Sequence, residues 1–319
     1  MKRLLTTLAL LVVISLLSFW LIHVAPGDPT AAMMDPRISA ADKAQILHNL
    51  GLYQPWWIQY GHWITQVLRG NWGTSYSSGQ PVLTLIAQRL IPTFILSFST
   101  LIISFWISIP LGLWSAYRRR KPTDHTISML TLVGMATPTF WLGLLLILLF
   151  ALQWNLFPTS GWMDPEKMGA PVLEQWANIL AHLALPLLTL VLGSLAGLVR
   201  FQRFSTLNEL SQGYVQAARA RGFSAWHILT RHILKNTALP LITLLGMELP
   251  GLVSGAFIIE YIFAWPGMGQ LGVTAVFARD YPVMMGLLMM TSTLMLLGNA
   301  LADAAYRWAD PRIQASSSH

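Results

Sequence analysis

The sequence predicts an all-α polytopic membrane protein with six transmembrane helices and both termini in the cytoplasm. Three observations carry this expectation. Only 10% of the 319 residues are charged and 54% are apolar, a balance typical of chains that turn much of their surface to lipid. Uncharged stretches of spanning length then recur, at Leu4 to Gly27, Leu90 to Tyr117, Gln175 to Val199 and Tyr281 to Ala302. The third observation is the uneven placement of Lys and Arg. With the N-terminus inside, outer segments hold only six of the 20, namely Arg37, Lys43, Arg69, Arg89, Lys167 and Arg279. The shorter inner segments hold the remainder, as the positive-inside rule requires.

The elements follow in order. The first helix, residues 1–24, opens with Lys2 and Arg3. Its apolar run exceeds the ~7–15 residues of a signal h-region, which favours an uncleaved span. Residues 25–89 form an outer segment in which Ser39 to Leu50 and Pro55 to Leu68 read as short amphipathic helices. Trp56, Trp57, Trp63 and Trp72 in this segment suit anchoring at the headgroup level, where indoles are favoured. A five-helix core is expected over 90–310, with a basic cytoplasmic loop at 200–236 and a cytoplasmic tail at 311–319. Pro110 in helix two and Pro138 in helix three are expected to kink their helices, to shape a central cavity or simply to pack. The uncharged stretch His125 to Met163 exceeds one span and must include a loop. Gly193 and Gly197 in helix four have the small-xxx-small spacing of closely packed helices. Helix five, Ala238 to Phe263, carries Glu248 and Glu260.

Composition and missing motifs exclude several function classes. The net charge of +7 is mostly a topology signal, and no soluble basic face is left to bind nucleic acid. The chain has no cysteine, hence no disulfide, thiolate nucleophile or Cys metal site. A phosphate-cradling Walker A loop needs a glycine before its lysine; Lys2, Lys43, Lys121, Lys167 and Lys235 all lack one. ATP hydrolysis, if it drives this protein, belongs to another subunit. Zinc-hydrolase and serine-hydrolase motifs are missing too, so no catalytic or metal-ligating residue is assigned and enzyme function is not expected. His23 and His182, near helix ends, read as packing or interfacial residues. Glu248 and Glu260 are costly in hydrocarbon unless they face water or a partner. They are candidate pathway or gate residues together with Pro138. A proton-coupled carrier using Glu248 is the rival from another class, and a channel or scaffold a third.

The polar island from Arg200 to Asn236 contains Tyr214-Val-Gln-Ala-Ala-Arg-Ala-Arg-Gly222 and then Phe223-Ser-Ala-Trp226. Alanines are strong helix formers that let another backbone approach, and Gly222 permits a turn with positive φ. A short helix–turn–helix that a partner can grip fits this pattern; a basic loop that only fixes topology is the alternative. The segment resembles the E-A-A-x-x-x-G coupling loop of ABC importer permeases, in the form of the dipeptide/oligopeptide permease family. Gly27-Asp-Pro29, Gly73-Thr-Ser-Tyr76, Phe263-Ala-Trp-Pro-Gly-Met-Gly269 and Ala309-Asp-Pro-Arg312 are similar to that family's motifs and extend the resemblance over nearly the whole chain. Gln216 stands where the broader pattern has Glu and Lys235 where it has Pro, departures that resemble the peptide branch. Gln216 removes any role needing negative charge at that position.

The resemblance implies the type I ABC importer permease fold in a bacterial inner membrane. It implies Gln216, Ala217, Ala218, Arg219, Arg221, Gly222 and Phe223 as the ATPase-coupling surface. It also implies a homologous second permease subunit, two ATPase subunits carrying ATP and Mg, and an extracytoplasmic solute-binding protein. No cofactor is expected on this chain. Peptides are the expected cargo, with nickel or glutathione as the alternatives within the family.

Overall fold

In hydrocarbon every backbone N–H and C=O must be satisfied within the chain, and helices do this segment by segment. The computed structural model is accordingly mostly helical over the residues it describes, which are 2–24, 53–237 and 256–309 with isolated positions between 45 and 48 and between 240 and 244. Among those residues there is no β-strand, only one bridge between Thr74 and Pro81.

The helices are α1 (Lys2–Val24), α2 (Trp56–Leu68), α3 (Val82–Tyr117), α4 (Pro122–Ala136) and α5, which is α-wound over Thr139–Leu146 and π-wound over Ile147–Gln153. They continue with α6 (Val172–Leu210), α7 (Gly213–Ala220), α8 (225–237, π-wound over Ile228–Ile233), α9 (Phe257–Ile262), α10 (Met268–Ala278) and α11 (Tyr281–Ala309). Three stretches are long and apolar enough to cross a membrane: α3, α6 and Tyr281–Ala300 of α11. The pair α4 and α5 supplies a fourth if taken as one broken span. Most of the predicted helix five, and the predicted helix Ser39 to Leu50, lie outside the described residues.

Helix three is not a single kinked span. Its two legs, α4 and α5, meet at 100°. Proline has no N–H and disfavours the α conformation in the residue before it. Thr137 is extended (φ −87°, ψ 122°), and its N–H and hydroxyl both donate to the Val133 carbonyl, at 3.0 and 2.8 Å. Pro138 cannot supply the next bond of the helix, to the Gly134 carbonyl, so α4 ends at Ala136 and the chain turns sharply. Pro110, by contrast, sits inside the unbroken α3.

The chain divides into two compact units, each discontinuous in sequence. The first comprises 1–94, 253–261 and 266–298. One of its clusters buries Phe19, Ile22 and Met285, with Trp56, Tyr60 and Trp63 packed against them, and the Tyr60 hydroxyl lies 2.8 Å from Ser15 Oγ. A second gathers Val82, Ile86, Met268, Leu271, Val283 and Leu287, with Trp72 against it. Trp56, Trp63 and Trp72 therefore pack on this unit's core, whereas Trp57 is 59% exposed. The Gly73-Thr-Ser-Tyr76 turn wraps a buried acid, Asp280. The Asp280 carboxylate accepts from the Ser75 and Ser77 hydroxyls, from the Tyr76 and Ser77 amides at 3.1 and 3.2 Å, and from the Val283 amide at 3.4 Å. The last of these bonds makes it the N-cap of α11.

The second unit comprises 95–252, 262–265 and 299–319. Here α6 packs against α4 and α5. A Cβ on Gly193 would stand 3.2 Å from Thr139 Cγ2, and one on Gly134 would stand 3.3 Å from the Ala196 methyl. The small residues in contact on α6 are thus Gly193 and Ala196; a Cβ on Gly197 would meet nothing within 4 Å. At the polar end of this bundle Asp124, in the first turn of α4, is the central acceptor. Arg203 of α6 donates to it twice, from Nε at 2.7 Å and Nη2 at 2.9 Å. Ser115 Oγ of α3 donates at 2.6 Å and the Arg120 amide at 3.0 Å. One carboxylate thereby ties three helices and the turn between two of them.

Removing a partner from such a buried pair leaves an uncompensated charge, at a cost of about 3–5 kcal/mol. Asp124→Ala is expected to fall near the low end because Arg203 keeps some access to water, and thermal unfolding in detergent measures it. Asp124→Ala/Arg203→Ala should cost less than the sum of the two single changes. Asp280→Ala should cost at least about 2 kcal/mol by the same measurement, since several buried donors lose their acceptor together.

Candidate coupling surface

The site is built by the continuation of α6 past Val199, where its sequence turns polar, to Leu210. A turn at Ser211 and Gln212 reverses the chain into α7, whose eight residues run Gly213–Ala220. Its end is a Schellman motif: the Gly222 amide donates to the Arg219 carbonyl at 2.9 Å and the Phe223 amide to the Ala218 carbonyl at 3.2 Å. Gly222 has φ +81°, and a Cβ there would meet nothing within 4 Å. The glycine is required by the left-handed backbone and not by crowding within this chain. Ser224 then caps α8, accepting from the His227 amide at 3.3 Å.

The loop is seated on the bundle. Val215 and Ala218 of α7 are buried with Leu113 of α3 and Ile228, Leu229 and Ile233 of α8. Their three-residue spacing puts both on one face. The opposite face is open: Gln216, Ala217, Arg219, Ala220, Arg221 and Gly222 are all exposed. Phe223 is 42% exposed and stacks on the His227 ring, with centroids 5.0 Å apart and planes 11° off parallel. Ala218 departs from the sequence expectation. It faces inward and lets α7 settle on Leu113, leaving Ala217 and Ala220 as the small residues a partner could approach.

Two supports escaped the sequence reading. Glu209, at the end of α6, accepts from the Tyr214 hydroxyl and from Asn236 Nδ2, the latter at 3.1 Å, linking α6, α7 and α8. Burial, and after it the bond to Glu209, pushes the Tyr214 hydroxyl up to about 12, so the phenol keeps its proton and remains a donor. The other support is Asp124, which anchors α6 through Arg203 just ahead of the loop. The visible signal for Asp124 was a lone acid directly after Arg118 to Lys121; its partner Arg203 lies 79 positions away.

The candidate pathway residues are scattered. Pro138 is exposed at the bend between α4 and α5. Glu248 lies outside the described residues. Glu260 is fully buried at the N-terminus of α10. One carboxylate oxygen accepts from the Thr93 hydroxyl at 3.0 Å, and the other from the Gly269 and Gln270 amides at 2.6 and 3.3 Å. Thr93 in turn accepts from the Met268 amide at 2.7 Å. The helix dipole favours a negative group at this position. A Cβ on Gly269 would come within 2.5 Å of Phe257 Cα, which explains the glycine in the Pro-Gly-Met-Gly run. Both Glu260 oxygens are thus engaged by the chain's own donors. Among the described residues no three His, Asp or Glu side chains gather as metal ligands.

Residues 108–315 match the family model described as "Binding-protein-dependent transport system inner membrane component", and residues 1–97 match the model for the N-terminal part of such components. The chain is 39% identical over 317 residues, 98% of each chain, to the oligopeptide transport system permease protein AppB of Bacillus subtilis (strain 168). It is 37% identical to the probable D,D-dipeptide transport system permease protein DdpB of Escherichia coli (strain K12), covering 94% of this chain and 92% of that one. It is 36% identical to the dipeptide transport system permease protein DppB of the same strain, covering 94% of each. Among solved structures, the inward-facing MetNI methionine ABC transporter superposes with a TM-score of 0.51 at 16% identity, over 70% of this chain and 96% of that one. That likeness concerns the fold. On these grounds the chain, a multi-pass membrane protein, belongs to the family of inner-membrane permease components of binding-protein-dependent transport systems.

Proposed function

We propose that this chain is one of two membrane subunits of an ATP-driven importer in a bacterial inner membrane. Its six spanning helices, with both termini cytoplasmic, would line the route for di- or oligopeptides together with a homologous subunit. A soluble extracytoplasmic protein delivers the cargo, and two separate ATPase subunits hold ATP and Mg. The peptide assignment rests on the names of the relatives. The coupling assignment rests on one observation: α7 offers an exposed polar face while its other face is buried on the membrane helices. A partner that pushes Gln216, Ala217, Arg219, Arg221, Gly222 and Phe223 therefore pushes α3 through Val215, Ala218 and Leu113. The resulting switch from inward- to outward-facing is a rigid-body motion. Glu248 and Pro138 are the positions proposed to face or gate the route. Glu260 is proposed to hold the turn before α10 in place.

Gly222→Val tests the coupling role. A β-branched residue at positive φ costs about 1–2 kcal/mol, enough to reduce occupancy of the docked geometry by roughly 5- to 30-fold. Normal insertion is expected, with lost co-purification of the ATPase and lost substrate-stimulated hydrolysis in proteoliposomes. Undiminished coupled transport by the variant would rule out this role for the turn. Uptake by the chain reconstituted alone with a proton gradient, and without ATP, would rule out the importer reading itself.

A further inference from the structure

We propose that the groove between the start of α7 and the outer face of α8 is a binding site for a phosphate-bearing anion. The cavity has a volume of about 440 Å³ and is lined by Tyr214, His227, Arg231, His232, Lys235 and Asn236. It adjoins the proposed coupling surface, since its lining residue His227 stacks on Phe223, but none of its lining residues is assigned to coupling and its existence does not rest on that assignment.

The placement follows from the winding of α8. His227, Arg231 and Lys235 are spaced four apart, and His232 and Asn236 form a second row at the same spacing. The π-wound turn Ile228–Ile233 inserts extra chain into this stretch and shifts the rows relative to a regular helix. Such turns recur at functional sites. Ile228, Leu229 and Ile233 remain buried against α3 and α7, so the polar rows are held on a fixed support.

The lining selects an anion. Arg231 and Lys235 are exposed, and neither has an ion-pair partner among the described residues. His232 Nε2 is buried and has no hydrogen-bond partner among the described residues. The Glu209 carboxylate, which accepts from the lining residues Tyr214 and Asn236, brings one negative charge to this edge of the groove, against the two positive charges of Arg231 and Lys235. A guanidinium and an ammonium one turn apart supply both a planar fork and a movable point charge for phosphate oxygens. The His227 ring is held by stacking on Phe223, and its centroid is 5.7 Å from that of His232. The volume exceeds what bare phosphate needs and accommodates an organic substituent. An anionic phospholipid headgroup and a soluble phosphate ester share this chemistry.

The test uses the full-length chain in neutral detergent. Thermal unfolding and native mass spectrometry are followed with added phosphatidylglycerol, with phosphatidylcholine, and with glycerol 3-phosphate. Stabilisation by phosphatidylglycerol, and not by phosphatidylcholine, is expected, with binding weakened at least about tenfold in Arg231→Gln/Lys235→Gln. Both substituted side chains are exposed, so unfolding of the ligand-free variant should match the parent. Arg219→Gln/Arg221→Gln loses the same charge outside the cavity and should keep the effect. A response to glycerol 3-phosphate as large as that to the lipid assigns the site to a soluble ester; a lipid-only response assigns it to a headgroup. No response to either probe, or an equal response in both double variants, overturns the proposal. It is also overturned if Arg231→Gln/Lys235→Gln abolishes ATPase association and leaves lipid binding unchanged.

Discussion

A carboxylate cut off from water must be met by donors, because the charged group otherwise costs several kcal/mol to bury. Asp124, Glu260 and Asp280 are each almost fully buried, and each holds a turn of the chain in place. Asp124 gathers Arg203, Ser115 and the Arg120 amide at the polar end of the second unit. Within the first unit, Glu260 closes the start of α10 and Asp280 the start of α11. In a chain so poor in charge, these acids do what loop hydrogen bonds to water would do in a soluble protein. Two of the short motifs that resemble a known family turn out to be their surroundings: Gly73-Thr-Ser-Tyr76 encloses Asp280, and Pro266-Gly-Met-Gly269 encloses Glu260.

The same economy governs the segment proposed for coupling. A lever that is to transmit a push must not yield at its base. Asp124–Arg203 fixes α6 immediately before the loop, Glu209 ties its end to α7 and α8, and a buried apolar cluster seats α7 on α3. The turn between the two short helices is set by the left-handed backbone of Gly222. The exposed surface is left free of such duties, which is what a docking face needs.

Much of this was legible in the sequence. Long uncharged runs gave α3, α6 and α11 because a spanning helix needs about 20 apolar residues and little else. The Tyr214 to Gly222 segment gave a short helix ended by glycine, because helix propensity and the left-handed turn are local properties. Three features were not legible. The inward orientation of Ala218 depends on Leu113, a hundred residues earlier in the chain. The turn at Pro138 reaches 100°, whereas Pro110 sits inside the unbroken α3, and nothing local in the sequence separates the two prolines. The contacts of α6 fell on Gly193 and Ala196, and spacing alone had pointed to Gly193 and Gly197.

What the sequence determined by itself was membrane class, the main apolar helices and a short helix ended by glycine over 213–222, since all three follow from composition and local backbone preference. Tertiary structure alone decided which donors meet Asp124, Glu260 and Asp280, which face of α7 is open, and where α8 gathers its cations. Those outcomes rest on contacts between residues far apart in the chain, and hydrogen-bond partners over such distances leave no periodicity for a sequence reading to find.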